Sequence, residues 1–211
     1  NLMKSRGPDF SKYYTYVKGH KTINLLHSRL SIIDINKRSN QPFVIGDYSI
    51  IFNGEIYNFK ELKKKFNLIT RSNSDTEILI ELFAKLNLDC LKHLNGIFAF
   101  IIFDNLEKKV YCARDRLGVK PLYYLNKGNA FYFCSEIKGL LNVTKNISIN
   151  FEAVEIYLAT SFYDYFSNSF YKQISQVEQS TCTVFDIRKN DKKIFKYWDL
   201  NETDETIKSV D

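Results

Sequence analysis

The sequence predicts an α+β protein in which mainly antiparallel sheets pack on each other with helices outside. Three observations predict it: paired apolar segments separated by turn residues, helical segments between them, and one continuous apolar run, Ile97–Phe103. A run without polar alternation is typical of a strand buried on both faces, so one sheet should pack against another. The 17 Phe and 14 Tyr among 211 residues agree, because aromatic side chains favour strands.

Three pairs of apolar segments predict antiparallel hairpins, because each pair is separated by a short stretch of turn residues. The pairs are Ile97–Phe103 with Lys109–Ala113, Leu122–Leu125 with Ala130–Cys134, and Thr181–Ile187 with Lys193–Trp198. Ile23–Ile35 predicts a strand that runs into a loop. Tyr48–Phe52 predicts a short strand that stops at Asn53-Gly54, since Asn-Gly is the strongest two-residue turn signal.

The helices are predicted from capping residues and apolar spacing. Ser74 and Glu77 have the spacing of a capping box, and apolar residues follow at helical intervals from Ile78 to Leu86. Asn58 and Glu61 repeat the signature and predict a helix from about Phe59 to Phe66. Two shorter helices are expected, one over Glu136–Leu141 and one capped by Asn150.

Composition and charge exclude several classes of protein. With 45% hydrophobic and 26% charged residues the chain is not disordered throughout, and no apolar run has the length of a membrane span. The net charge is 30 − 24 = +6, but the lysines are scattered. A solvated surface is therefore favoured over nucleic-acid binding, which stays the lesser alternative.

The cysteines predict neither a metal site nor a disulfide framework. Cys90, Cys112, Cys134 and Cys182 form no CxxC pair and have no histidine at a ligand spacing. Small buried hydrophobes in a reducing cytoplasm are the favoured interpretation. The generic catalytic motifs GxGxxG, HExxH, GxSxG and the P-loop are absent from the sequence, and the three histidines form no motif.

The remaining chemistry lies in polar residues at the ends of apolar segments. Asn53 and the Gly54 N–H can donate two hydrogen bonds to one oxyanion, although a plain turn is the favoured local interpretation. Asp75 can hold an ammonium group, or can serve only the start of its helix. Arg29 lies in an apolar strand and needs an anionic partner, either an intramolecular carboxylate or a ligand. For Arg114-Asp115-Arg116 a structural salt-bridge network is at least as probable as a site.

Together these residues describe a receptor for an α-amino acid. Arg29 would bind the carboxylate, Asp75 the ammonium group, and Asn53 with the Gly54 N–H a polarised side-chain carbonyl. This is a conjecture from residue types, because composition alone does not place the three groups near one another.

Eight motifs in order along the chain carry a family resemblance. They are Arg6-Gly7-Pro8-Asp9, His27-Ser28-Arg29-Leu30-Ser31-Ile32-Ile33-Asp34, Gln41-Pro42, Phe52-Asn53-Gly54-Glu55-Ile56-Tyr57-Asn58, Ser74-Asp75-Thr76-Glu77, Leu94-Asn95-Gly96-Ile97-Phe98-Ala99-Phe100, Ala113-Arg114-Asp115-Arg116-Leu117-Gly118-Val119-Lys120-Pro121-Leu122-Tyr123-Tyr124 and Ser135-Glu136-Ile137-Lys138. In order and spacing the chain resembles the glutamine amidotransferase domain of asparagine synthetases. The match runs from Arg6 to Trp198, with Glu178-Gln179-Ser180 standing where the family usually has a Pro-Gly turn.

The resemblance implies a class II amidotransferase with an N-terminal-nucleophile hydrolase fold, a four-layer αββα sandwich of two antiparallel sheets. It implies a domain over 1–200 and a linker over 201–211. Asn53 and Gly54 would form the oxyanion hole. The pocket for glutamine would be lined by Arg29, Leu30, Ser31, Ile32, Ile33, Asn53, Gly54, Glu55 and Asp75.

The resemblance also implies a nucleophile that this sequence lacks. The family uses a chain-terminal cysteine whose own α-amine is the base, and no cysteine precedes Cys90. We therefore expect an excerpt without its cysteine segment, inactive by itself, and without its C-terminal synthetase domain, where ATP and Mg²⁺ would bind. No cofactor or metal is expected in this domain.

The expected partners are glutamine and the synthetase domain of the same chain, with no nucleic acid and no membrane. A homodimer stays open, as does the acceptor of the ammonia, which is aspartate by family default or another carboxylate. The alternative function is a non-catalytic relative of the same fold that binds an amino acid or a partner protein.

Overall fold

The computed structural model describes residues 5–18, 21–31, 33–34, 36–144, 146–162 and 169–200. The strands are β1 Phe10–Lys18, β2 Lys21–Arg29, β3 Phe43–Ile45, β4 Tyr48–Ile56, β5 Gly96–Asp104, β6 Lys109–Arg114, β7 Tyr123–Lys127, β8 Ala130–Cys134, β9 Ile174–Gln176, β10 Thr181–Asp186 and β11 Asp191–Lys196. The α-helices are α1 Phe59–Lys65, α2 Asp75–Leu86, α3 Ile137–Leu141 and α4 Phe151–Thr160, with 3₁₀ turns at Lys37–Ser39 and Asn87–His93.

A six-stranded antiparallel sheet, in the order β11-β10-β6-β5-β4-β3, forms the centre of the molecule. On β5, Phe98, Phe100 and Ile102 pack on one face with residues of α2. Ala99, Ile101 and Phe103 pack on the other face. The prediction that this apolar run is buried on both faces is confirmed.

The second β layer consists of two pieces, the hairpin β1–β2 and the sheet β8-β7-β9. Leu25 of β2 and Leu122 pack against the central sheet, with Phe131 and Phe133 of β8 beside them. On the far side of β7, Leu125 packs with Leu140 of α3. The layers therefore follow the order helix, sheet, sheet, helix, as expected from the sequence.

The three predicted hairpins are present. Two hairpins among the described residues were not predicted, a short one formed by β3 and β4 and a fourth long one, β1–β2. In the fourth hairpin Phe10 pairs with Arg29, and the register continues to Lys18 opposite Lys21. Its outer face is exposed and mixes Tyr13 and Val17 with polar residues, so the apolar signal of β1 is weak.

The predicted turn at Asn53-Gly54 is wrong. β4 continues to Ile56, because β5 pairs with it along its whole length, with Asn53 opposite Ala99 and Gly54 opposite Phe98. Gly54 has φ +151, and a Cβ there would lie 2.1 Å from the Ile97 carbonyl oxygen. The glycine thus permits a close approach of two strands, and tertiary pairing overrides the local turn preference.

The capping predictions are correct for helix position and partly wrong for mechanism. Ser74 Oγ accepts from Thr76 N at 3.1 Å, as expected. Glu77 does not complete a capping box and accepts instead from the Arg71 and Ser72 N–H groups. Asn58 makes no side-chain cap, because its amide bridges His93 O and Asn95 N.

No helix among the described residues is long and apolar enough to cross a membrane. Cys90, Cys112 and Cys182 are buried and Cys134 is half-buried, which agrees with their interpretation as small hydrophobes.

Candidate active site

The site is built on the edge of β4 that β3 leaves uncovered. β3 pairs with β4 only as far as Ile50, whereas β5 covers the opposite edge as far as Ile56. The N–H groups of successive residues point to opposite edges of a strand, so those of every second residue point to the same edge. The N–H groups of Phe52, Gly54 and Ile56 therefore all point to the uncovered edge.

Side-chain oxygens accept hydrogen bonds from two of these three N–H groups. Gln41 Oε1 accepts from Phe52 N at 2.6 Å, and Asp75 Oδ2 accepts from Ile56 N at 3.1 Å. The intervening Gly54 N–H points away from β5, so the pairing of the two strands gives it no acceptor. No loop carbonyl among the described residues accepts from it. One peptide N–H is thus left open between two that are fixed.

The side-chain amide of Asn53 lies next to that open N–H. Its Nδ2 atom is buried and has no hydrogen-bond partner within the described part of the chain. A buried donor without an acceptor costs free energy, so such a group is normally explained by a ligand or water. Asn53 and Gly54 thus supply two neighbouring donors, as the sequence predicted, but from a strand edge and not from a turn.

Asp75 is the first residue of α2, and only 4% of it is exposed. Its carboxylate accepts from Ile56 N at 3.1 Å and from Thr76 N at 2.8 Å. Burial raises the pKa of Asp75, and the nearby Glu55 adds a smaller increase. The Asp75 carboxylate retains acceptor capacity for a cation, since two neutral donors do not use all its lone pairs.

Arg29 ends β2 and is buried. Its guanidinium donates to four oxygens of the following loop: Asn36 O at 3.2 Å, Asn40 Oδ1 at 2.7 Å, Ile33 O at 3.2 Å and Asp34 O at 2.5 Å. These acceptors are neutral carbonyl and amide oxygens. Of the two partners that the sequence left open, the intramolecular carboxylate is therefore not found among the described residues. Binding of a ligand carboxylate by Arg29 stays a prediction.

The loop held by Arg29 is also joined to the start of α2. Asp34 Oδ2 accepts from Asn73 N at 2.9 Å, two residues before Asp75. This bond is the main reason that the pKa of Asp34 is lowered. Arg29 and Asp75 are therefore positioned by one connected set of hydrogen bonds.

A cavity of about 1500 Å³ lies between β2, β4 and β8. Seven of the predicted site residues line it: Arg29, Leu30, Ile33, Asn53, Gly54, Glu55 and Asp75. Ser31 is not in the lining, and its N–H donates to Asp9 Oδ2 at 2.7 Å. Ile32 lies outside the described residues. The structure thus brings together most of what the sequence proposed from separate segments.

Two lining residues, His27 and Gln41, were missed by reasoning from the sequence. Gln41 joins β4 to α2, because its Nε2 donates to Thr76 Oγ1 at 3.2 Å while its oxygen holds Phe52 N. His27 lies between the buried Leu25 and Arg29 on the same face of β2. In the sequence, the signal for His27 was a polar ring at a position that strand alternation places on the same face as Leu25 and Arg29.

In the Arg114-Asp115-Arg116 segment, the side chains of Arg114 and Asp115 bind backbone groups of neighbouring segments. Arg114 donates to the carbonyl oxygens of Lys120, Gly118 and Val177, and Asp115 accepts from Phe98 N at 3.1 Å. The network is built on backbone groups, where the sequence suggested side-chain salt bridges. Within the described residues, no group of three or more His, Cys, Asp or Glu side chains could hold a metal ion.

The family model for the glutamine amidotransferase domain matches residues 1–198. The chain belongs to this family. Similar proteins include a putative glutamine-hydrolysing asparagine synthetase 2 of Methanocaldococcus jannaschii, 40% identical over 94% of this chain and 42% of the relative. Another is the glutamine-hydrolysing asparagine synthetase 3 of Bacillus subtilis, 40% identical over 67% of this chain and 23% of the relative.

This amidotransferase domain spans less than half the length of these curated relatives. Among solved structures, the glutamine phosphoribosylpyrophosphate amidotransferase of B. subtilis is similar, with a TM-score of 0.58 and 20% identity. The similarity covers 83% of this chain and 35% of that one. It confirms the expected N-terminal-nucleophile fold, and the family match confirms the resemblance noted from the motifs.

Proposed function

We propose that this domain hydrolyses glutamine to glutamate and ammonia, and that the ammonia serves ATP-dependent amide formation in a synthetase domain. The observation that carries the proposal is the buried Asn53 amide, which has no partner among the described residues, beside the open Gly54 N–H. Two donors held in place before the reaction favour the charge that develops on a carbonyl oxygen in the transition state.

The rest of the cavity suits the other end of glutamine. The Asp75 carboxylate binds the α-ammonium group, and the positive charge of Arg29 favours the α-carboxylate. The thiol then attacks the carboxamide carbon while its own α-amine takes the thiol proton and passes it to the leaving nitrogen, which departs as ammonia. Water hydrolyses the resulting thioester to glutamate and restores the thiol. The oxygen of the tetrahedral intermediate lies against Asn53 and Gly54.

The nucleophile in this proposal is a chain-terminal cysteine from outside these 211 residues. Cys90, Cys112 and Cys182 are buried, and burial raises the pKa of each thiol, so little thiolate forms. The cavity of about 1500 Å³ exceeds the usual 300–1,000 Å³ of small-molecule sites, which leaves room for a segment that carries the cysteine.

A glutaminase assay on two proteins tests this function. We expect the complete gene product, beginning with Met-Cys, to release glutamate from glutamine, and residues 1–211 to bind glutamine without hydrolysing it. Activity of residues 1–211 that disappears in Cys134→Ser would assign the nucleophile to Cys134, which lines the cavity. An inactive complete protein that still binds glutamine would favour the alternative, a non-catalytic amino-acid-binding relative.

The wider assembly is part of the same proposal. The relatives named asparagine synthetases support a synthetase domain that follows in the same chain and that binds ATP and Mg²⁺. Aspartate is the proposed acceptor of ammonia, and other carboxylates are the alternative. The proposed location is the cytoplasm, and a homodimer is proposed as its assembly.

Asp75→Asn is expected to weaken glutamine binding about 10- to 100-fold at neutral pH, because a charge-assisted hydrogen bond to the ammonium group is lost. The wild-type affinity should fall as the pH drops through the raised pKa of Asp75, since only the ionised carboxylate attracts the ammonium group. The measurement is the Kd for glutamine as a function of pH.

The matched control for this prediction is Asp47→Asn, because Asp47 is exposed. It should leave both the affinity and its pH dependence unchanged. The raised folded-state pKa means that ionised Asp75 lowers stability as the pH rises, so Asp75→Asn should not lower the melting temperature at neutral pH. A large drop in melting temperature with normal affinity would assign Asp75 to the helix alone.

A further inference from the structure

Among the described residues, the imidazole of His27 has a hydrogen-bond partner at one of its two nitrogens. Its Nε2 atom lies 3.2 Å from the carbonyl oxygen of Phe52. A carbonyl oxygen can only accept, so Nε2 carries the proton. In the neutral ring the other nitrogen, Nδ1, then presents a lone pair.

That lone pair has no donor. Nδ1 is buried and lacks a hydrogen-bond partner within the described ranges, and His27 lines the cavity. Burial lowers the pKa of His27 to about 4, and the charge of Arg29 contributes a smaller decrease. The ring is therefore neutral near pH 7, and Nδ1 acts as an acceptor and not as an acid.

His27 and Asn53 offer complementary groups next to the same peptide. The Phe52 carbonyl that receives His27 Nε2–H belongs to the peptide that joins Phe52 to Asn53. Within the part of the chain that the structure describes, Asn53 Nδ2 is a buried donor without an acceptor, and His27 Nδ1 is a buried acceptor without a donor. A carboxamide satisfies both, because its oxygen accepts and its NH₂ group donates. A carboxylate or an ester offers no N–H to the second atom.

We propose that His27 Nδ1 accepts a hydrogen bond from the carboxamide NH₂ group of glutamine and so selects an amide over a carboxylate or an ester. The inference rests on the proposed function and deepens it, since it names the group that recognises the amide of the substrate. No proton is transferred, and the Nε2 bond to Phe52 fixes the tautomer that makes Nδ1 the acceptor.

Two substitutions separate this role from a purely structural one. In His27→Gln the longer amide can keep a donor on the Phe52 carbonyl but has no acceptor at the Nδ1 position. In His27→Asn the shorter amide can place its oxygen near the Nδ1 position and gives up the contact with Phe52. His93→Gln is the control, because His93 packs on Phe66 outside the cavity lining.

The experiment compares kcat/KM for glutamine with kcat/KM for L-glutamate γ-methyl ester in the complete enzyme. We expect the amide-to-ester ratio to fall about threefold to tenfold in His27→Gln, the size of one neutral hydrogen bond, and to be largely retained in His27→Asn and His93→Gln. Inhibition by glutamate should strengthen in His27→Gln by a similar factor.

Several results would overturn the inference. An unchanged amide-to-ester ratio in His27→Gln would overturn it. So would a ratio that falls in His27→Asn and is retained in His27→Gln, because His27 would then serve only to hold Phe52. Failure of the wild-type enzyme to hydrolyse glutamine would overturn the proposed function and the inference with it.

If either variant fails to fold, histidine ¹⁵N NMR gives a second measurement. The protein is the complete chain with its terminal cysteine replaced by alanine, so that glutamine is not hydrolysed. Saturating glutamine should move the Nδ1 resonance of His27 toward that of a hydrogen-bonded nitrogen, and glutamate should not. No shift with glutamine would overturn the inference.

Discussion

Replacing Asn53 with alanine in the complete enzyme should lower the turnover of glutamine about 10²–10³-fold, with a smaller effect on ground-state binding. The reason is that the Asn53 amide is a buried donor for which the described residues supply no acceptor, next to the open Gly54 N–H. Its hydrogen bond strengthens as charge develops on the carbonyl oxygen. Synthesis from free ammonia should persist, because it does not use this chemistry.

The controls separate the donor from the backbone conformation. Asn53→Gly also removes the amide and should be as impaired as Asn53→Ala. Asn126→Ala, at an exposed asparagine of β7, should leave turnover unchanged. Near-normal turnover in Asn53→Gly would show that the side chain of Asn53 is not part of the oxyanion hole.

Gly54→Ala should destabilise the domain by about 2–6 kcal/mol, the sum of backbone strain at a positive φ and overpacking against a neighbouring strand. The added Cβ would lie 2.1 Å from the Ile97 carbonyl oxygen, and both strands belong to the central sheet. The measurement is the free energy of unfolding in urea, combined with glutaminase kinetics of any folded fraction.

Gly46→Ala is the matched control for this substitution. Gly46 has φ +53, and an added Cβ would have nothing within 4 Å, so only the strain of about 1–2 kcal/mol is expected. If the two variants were equally stable, the close approach of β4 and β5 at Gly54 would be contradicted.

Strong periodic signals in the sequence predicted the central elements correctly. The short run from Ile97 to Phe103, rich in Ile and Phe, indicated a strand buried on both faces, and the apolar spacing after Ser74 indicated a helix with one buried face. The β1–β2 hairpin was missed because its outer face is solvated, so apolar and polar residues mix along β1.

The partners of polar residues could be predicted only in part. A guanidinium in an apolar strand needs acceptors, and the sequence indicated that need at Arg29. Which acceptors it finds depends on where the chain returns, and here the following loop supplies neutral oxygens from Ile33 to Asn40.

The sequence alone determined the fold class, the family and seven of the residues that line the cavity, because these follow from local periodicity and from motifs in a fixed order. The tertiary structure decided which atoms are left without partners. β3 stops short of Phe52, and Gln41, His27 and Asp75 come from separate segments to fix the neighbouring peptide groups of β4. The open Gly54 N–H and the buried Asn53 amide exist only because these segments converge. No local pattern encodes that convergence, since it depends on strand pairing between residues far apart in the chain.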